Sequence, residues 1–262
     1  DSGRVEFVDL VHGEQRFECA DIGDFIVQRA DGSAAFFFSN IVDDALSGVT
    51  VVLRGEDHLS NTPRQLMIAE ALGLPAPAYG HISLITSADG SPLSKRHGAK
   101  SLKRLKEEGY LPLALVNHLF RLGHSTELHG LQTLDELARG FDSTHLVRSP
   151  ARFDPVQLEV WQRDAVHRLT LDEACVWLAA HKPAQVADAA WRAFVQVVQA
   201  NLILPSDVTP WVQAIFGDEI ELDDEGRSII TAAGNVFFGA AVTAAGEAGN
   251  DWKALSQRVR DL

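Results

Sequence analysis

Apolar residues recur with two different periods along this chain, and the change falls near residue 100. Upstream, short alternating or β-rich segments are interleaved with stretches of helical spacing. Residues 5–10, 16–20 and 25–29 read as strands, the last followed by an Asp31-Gly32 turn signal. Residues 35–38 read as extended, 40–46 as helical, 50–53 as extended, 64–72 as a helix stopped by Gly73, and 82–86 as extended again. This order predicts part of an α/β sheet, with any chemistry carried by loops at strand ends. Downstream, Leu111, Leu115, Leu119 and Leu122 fall on one helix face before Gly123, and Trp191, Phe194, Val195 and Val198 repeat the pattern. Thr133-Leu-Asp-Glu136 and Thr170-Leu-Asp-Glu173 have the form of capping boxes, and Pro150, Pro155 and Pro183 mark breaks. The second half is therefore predicted to be all-helical.

Composition narrows the range of functions. With 262 residues, 46% hydrophobic and 23% charged, the chain can build a substantial core and two folding units. A formal charge of -13 argues against general affinity for nucleic acid, which needs clustered Lys and Arg. The charges are unevenly spread. Lys95, Arg96, Lys100, Lys103, Arg104 and Lys106 follow one another with no acid between, whereas Asp218, Glu219, Glu221, Asp223, Asp224 and Glu225 crowd another segment. No run of roughly 18 to 20 uncharged apolar residues is expected, nor a signal segment, so the reading is a cytoplasmic protein with no membrane partner. Cys19 and Cys175, far apart, predict two reduced thiols and no metal pattern. The Asp1-Ser2-Gly3-Arg4 opening and the single Met67 suggest a piece of a longer product.

Two segments carry chemistry. Ser94-Lys95-Arg96-His97-Gly98 is a cationic loop between an apolar strand and a basic helix. Such a loop suits a polyphosphate, because a mobile Lys can follow the charge that builds on departing pyrophosphate; a solvated turn has the same composition. Arg54-Gly55-Glu56-Asp57-His58 follows the extended segment at 50–53. Arg54 can clamp a carboxylate through two parallel hydrogen bonds, and Asp57 can accept from a ribose or an ammonium. The same acids, followed by Pro63, also suit an ordinary helix start. Phe36-Phe37-Phe38 reads as core, with one ring able to wall a pocket. His118, His124, His145 and His167 have no catalytic spacing, and no metal site is expected.

Taken in order, these blocks closely resemble one family. Val-Asp-Asp at 42–44, Arg-Gly-Glu-Asp-His-Leu-Ser-Asn-Thr-Pro-Arg at 54–64, Glu-Ala-Leu-Gly-Leu-Pro at 70–75, Leu-Ser-Lys-Arg-His-Gly-Ala at 93–99 and Glu-Glu-Gly-Tyr-Leu-Pro at 107–112 are similar to bacterial glutamyl-tRNA synthetases, of class I. The likeness is dense over about 5–125 and thins beyond, where Ser-Pro-Ala-Arg-Phe-Asp at 149–154 still resembles the start of the family's helical region. It implies an α/β Rossmann-like catalytic half, preceded by the end of an acceptor-binding α+β insertion and followed by an all-α helical domain. The implied boundaries are 1–30 for the end of the acceptor-stem insertion, 31–100 for the second half of the catalytic domain, 101–140 for a helical stem-contact region and 141–262 for an incomplete anticodon-binding domain.

The implied reaction joins L-glutamate to ATP, with Mg²⁺, as glutamyl-adenylate, and passes it to the 3′ end of tRNA(Glu). A monomer is implied, with the choice between tRNA(Glu) and tRNA(Gln) left open. By resemblance Arg54, Asn40 and Phe36 would meet glutamate. Asp57, the backbone of Leu84 and Ile85, Leu93, Lys95 and Arg96 would meet ATP, and Lys95 with Ser94 would act in the signature loop. Three departures stand out. Pro92 replaces the loop's first lysine, Phe36 replaces a usual Tyr, and Leu158-Glu-Val-Trp-Gln162 only roughly follows a Leu-x-Trp-x-Asn pattern. The family's His-Ile-Gly-His tetrad is not among these residues, and neither Gly80-His81-Ile82-Ser83 nor Leu122-Gly123-His124 substitutes for it. The chain alone is therefore expected to activate little or no glutamate. The rival expectations are a non-catalytic tRNA-binding paralogue or fragment, and an enzyme that glutamylates another acceptor.

Overall fold

In the computed structural model, alternating side chains build the first hairpin. Strands β1 (Arg4–Asp9) and β2 (Gly13–Glu18) pair antiparallel, from Arg4↔Glu18 to Asp9↔Gly13. The structure describes residues 3–87, 90–91, 93, 101–217, 223–249 and 251–261. They fall into two units, Asp1–Thr209 and Pro210–Leu262.

In the first unit, Cys19 and Ala20 do not extend β2 but open a short helix, α1 (Cys19–Ile22). The strand expected at 25–29 is reduced to a single bridge, Gln28↔Ala34, around the Asp31-Gly32 turn. The Phe triplet does not form a strand either: Phe36 begins α2 (Phe36–Leu46). Burial overrides the β preference of the aromatic residues, because only a helix sets Phe37 and Phe38 beside Ile41 and against Ile68 and Ala69. Full burial of Ile41 alone contributes roughly 2 kcal/mol. The chain then runs through β3 (Val51–Gly55), a 3₁₀ turn (Glu56–Asn61), α3 (Thr62–Leu72), ended by the left-handed Gly73, and β4 (Ala78–Ile82). Strand β4 pairs parallel with β3 over its whole length and with β1 at Asp9↔Tyr79, giving the sheet order β2-β1-β4-β3. The α/β sheet inferred from the sequence is thus a mixed, four-stranded one flanked by helices.

The apolar run at 81–86 is split. Strand β4 stops at Ile82, and β5 (Ile85–Thr86) pairs instead with β6 (Ala151–Arg152). Helices follow: α4 (Leu102–Glu108), α5 (Pro112–Gly123), α6 (Leu134–Gly140), α7 (Pro155–Arg168), α8 (Leu171–Trp177) and α9 (Asp188–Val198), and α10 (Thr209–Phe216) begins at the last residue of this unit. Both capping boxes form, at Thr133/Glu136 and Thr170/Glu173, and α9 buries Trp191, Phe194, Val195 and Val198. The leucine face expected on α5 is not its buried face. Ala114, Asn117 and His118 are buried and Leu119 is exposed, because α7 approaches close enough for Ala165 to pack on Ala114.

In the second unit, α11 (Asp224–Ala248) and α12 (Trp252–Arg260) pack on one another. Helix α11 corrects the sequence reading: residues 228–246 carry no charge, and the helix is long and apolar enough to cross a membrane by length and composition. Ser228, Thr231, Asn235 and Thr243 interrupt this stretch, so it is uncharged without being an unbroken apolar run. It also breaks its helical backbone at Gly234, where φ is 68°.

Candidate active site

Strand β3 delivers Arg54 to the end of the sheet, and Gly55 lets the chain turn at once. A Cβ on Gly55 would lie 2.4 Å from Asp57 Oδ1, so a larger residue here would require the exposed Asp57 side chain to move. The Arg54 side chain is half-buried and lies over the Tyr79 ring, 5.0 Å from its centroid. Its Nη2 donates to Thr62 Oγ1 at 2.8 Å, to Gln65 Oε1 at 2.7 Å and, more weakly, to the His58 carbonyl at 3.5 Å. Thr62 and Gln65 sit three apart at the start of α3 and therefore share a face. Gln65 Nε2 in turn donates to Asn40 Oδ1 of α2 at 2.6 Å. Among the described residues Nη1 has no partner, and no carboxylate lies within ion-pair distance of the guanidinium.

Behind Arg54 stands a buried pair from two other strands. Asp9 of β1 and His81 of β4 meet through Oδ2 and Nδ1 at 2.5 Å, and His81 Nε2 lies 3.1 Å from both Arg54 Nε and Thr62 Oγ1. Burial works to raise the Asp9 carboxyl, but the His12 backbone N–H, the His81 side chain and the Val11 and His81 backbone N–H groups outweigh it and hold it below its ordinary value. Burial lowers His81, with Asp9 opposing, so the imidazole is neutral at neutral pH. Burial also pulls Arg54 down, against the counter-pull of Tyr79, Asp44, Asp57 and Asp9. Tyr79 is pushed up to about 12 by its own burial and stays a neutral platform.

The structure brings Arg54 and Asn40 together through Gln65. Phe36 lies near them, at the first turn of α2, 44% exposed and 5.6 Å from the His58 ring. Asp57 is exposed and lies 3.8 Å from His58 Nε2. The Leu84 backbone N–H donates to Glu56 Oε1 at 3.3 Å, and the Ile85 carbonyl accepts from Leu93 N at 3.3 Å, which tethers the start of the cationic loop. Pro92, Ser94, Lys95 and Arg96 lie outside the described residues. No group of three or more His, Cys, Asp or Glu among the described residues is arranged to hold a metal ion.

Asp9, Thr62, Gln65, Tyr79 and His81 were not picked out from the sequence. The available signal was polarity out of place: Gln65 lies on the apolar face of α3 with Ile68 and Ala69, and His81 is a fully buried residue of a central strand. A cleft of about 300 Å³ lies elsewhere in this unit, lined by His118, Arg121, Arg152, Asp154 and Trp161, and contains none of the predicted site residues.

Strands β1 to β6, α3 and Arg54 all lie within a stretch that matches a known family. The family model of the class I tRNA synthetases (E and Q), catalytic domain, covers residues 1–160, and the chain belongs to that family. The glutamate–tRNA ligase 2 of Nitrosococcus oceani is 52% identical over 256 residues, 98% of this chain and 54% of that protein. The glutamate–tRNA ligase 1 of Methylococcus capsulatus is 52% identical over 251 residues, 96% of this chain and 54% of that protein. The chain thus spans about half the length of the curated relatives it matches. The crystal structure of a glutamate tRNA ligase from Elizabethkingia meningosepticum, in complex with its amino acid, has the same fold, with a TM-score of 0.83 at 20% identity over 99% of this chain and 56% of that one.

Proposed function

We propose that this chain is the part of a glutamate–tRNA ligase that holds glutamate and one side of ATP, together with helices that engage tRNA(Glu). The complete, cytoplasmic and monomeric enzyme activates L-glutamate to glutamyl-adenylate and transfers it to the 3′ end of tRNA. One observation carries the reading: Arg54 is a half-buried guanidinium with no carboxylate partner among the described residues, fixed along one edge and open along another. An unpaired buried charge is costly, and a substrate carboxylate supplies the missing partner. Asn40, tied to the same network, and Phe36 at its rim would complete the glutamate site. Phe36 offers a ring where a hydroxyl would add a hydrogen bond.

Asp57, the backbone at Leu84 and Ile85, Leu93 and the Ser94-Lys95-Arg96 segment would line the ATP side, with Lys95 countering charge on the leaving pyrophosphate. Mg²⁺ would arrive on the nucleotide's phosphates, since the described residues supply no cage of their own. Residues 1–30 would end the acceptor-stem insertion, 31–100 would complete the Rossmann-like nucleotide fold, 101–140 would contact the tRNA stem, and 141–262 would lead towards the anticodon.

The test is glutamate-dependent exchange between ATP and pyrophosphate in the natural polypeptide that contains these residues. Arg54→Ala is expected to lower kcat/KM for glutamate by about a hundredfold, the scale of one lost charge-assisted contact, and to leave KM for ATP unchanged. An equal loss towards ATP would remove Arg54 from the amino-acid site.

A further inference from the structure

Asp9 and His81, 2% and 0% exposed, have no part in the reaction described above, yet their hydrogen bonds lead to the Nε edge of Arg54. Asp9 Oδ1 already accepts three backbone N–H groups, from Val11 at 2.9 Å, His12 at 2.9 Å and His81 at 3.2 Å. That leaves Oδ2 for His81 Nδ1. A carboxylate can only accept, so the imidazole proton resides on Nδ1, and Nε2 presents a bare lone pair to Arg54 Nε–H and to the Thr62 hydroxyl. In the other tautomer two N–H groups would face each other across the same gap and Arg54 would have to turn away.

We propose that Asp9 and His81 are positioning residues: the carboxylate sets the imidazole tautomer, and the imidazole pins the Nε edge of Arg54 so that Nη1 is presented to the substrate carboxylate. The proposal rests on the reading of Arg54 as the carboxylate-binding group. Its logic is that of supporting groups which fix the orientation of the residue that makes the contact. A purely structural role is the competing account, because the same pair also fastens β1 to β4 beside the lone Asp9↔Tyr79 rung.

Asp9→Asn separates the two. The amide oxygen keeps the three backbone N–H groups, so the strand junction survives, while the NH₂ group replaces Oδ2 and turns a donor towards His81 Nδ1. The tautomer must invert. In the natural polypeptide, nitrogen NMR of the His81 ring is expected to report an Nδ1–H imidazole in the wild type and Nε2–H in Asp9→Asn, with faster solvent exchange of Arg54 Nε–H. The glutamate KM is expected to rise on the order of ten- to a hundredfold, with the ATP KM unchanged. A second pair covers the case in which Asp9→Asn does not fold. His81→Gln keeps an acceptor where Nε2 stands and is expected to stay near the wild type, whereas His81→Asn removes it and is expected to lose glutamate affinity.

An inverted tautomer with an unchanged glutamate KM would overturn the proposal, as would equal impairment of His81→Gln and His81→Asn. Lack of glutamate-dependent exchange in the wild type would sink the functional reading instead, and the spectra alone would then judge the relay: unchanged Arg54 Nε–H exchange in Asp9→Asn overturns it.

Discussion

Arg121 and Arg54, both half-buried in the first unit, lie over aromatic rings and end differently. Arg121 sits 4.3 Å from the Trp161 ring centroid, and Arg54 sits 5.0 Å from that of Tyr79. Arg121 spends Nη1 on the Asn117 carbonyl and side-chain oxygens at 3.1 and 2.9 Å, and Nη2 on the carbonyls of Leu128 and Gly130 at 3.3 and 2.7 Å. It closes the 128–130 loop onto α5. Arg54 has side-chain partners almost throughout, and its Nη1 is left over. A guanidinium whose terminal nitrogens are matched to backbone acceptors is a brace, and one held along a single edge keeps donors for a further partner.

The largest expected effect tests that contrast directly. Arg121→Met should lower the unfolding free energy by on the order of 3 kcal/mol, because several carbonyl oxygens fixed in the backbone lose a charged donor together. Arg54→Met should cost less, since Thr62 and His81 are already within hydrogen-bond distance of each other and Gln65 keeps Asn40. Denaturant unfolding of both variants measures this, and a larger loss at Arg54 would break the comparison.

A smaller effect is the response to acid. His81 and His118 are each held below the ordinary histidine value, burial being the main cause in both, with Asp9 opposing at His81 and Asp154 at His118. Below about pH 6.5 the unfolded chain binds protons that these rings refuse in the folded state, so stability rises with pH through that window and is lost on acidification. Melting temperatures at pH 5.5 and 7.5 should show it. His118→Phe and His81→Gln should each flatten the dependence, which apportions it between the helical and sheet regions. The smallest change lies outside both sites: Thr133→Ala removes one capping box and should cost about 1 kcal/mol in the same unfolding assay, with no change in the activation kinetics.

Local rules served well where local forces decide. The helix stop at Gly73, the two capping boxes and the buried face of α9 follow from spacing and side-chain chemistry within a few residues. Arg54 and Asn40 were both legible as candidates, but the Gln65 that joins them was not, since a glutamine at helical spacing carries no signal until its neighbours are known. The Asp9–His81 contact spans 72 residues and exists only because β1 and β4 are adjacent. Phe36-Phe37-Phe38 misled for a related reason: its β preference is a packing preference, and the packing on offer was α3. On α5 the leucines were the stronger apolar signal, yet the small Ala114 took the interior position because close approach of two helices selects for size.

Strands β4 and β5 come from one nearly continuous stretch, and only Ser83 and Leu84 separate them. Ser83 Oγ is anchored to the carbonyls of Val147 and Arg148, and Leu84 N to Glu56, so the two residues have no slack. At about 3.3 Å per residue, the strand that carries His81 and the strand that leads to Leu93 are set apart by a fixed length of chain. The distance between the place that would read an amino acid and the place that would receive a nucleotide is therefore counted in residues: a ruler two positions long, on which one insertion would put Ile85 out of step with Ala151 while β4 stayed where it is.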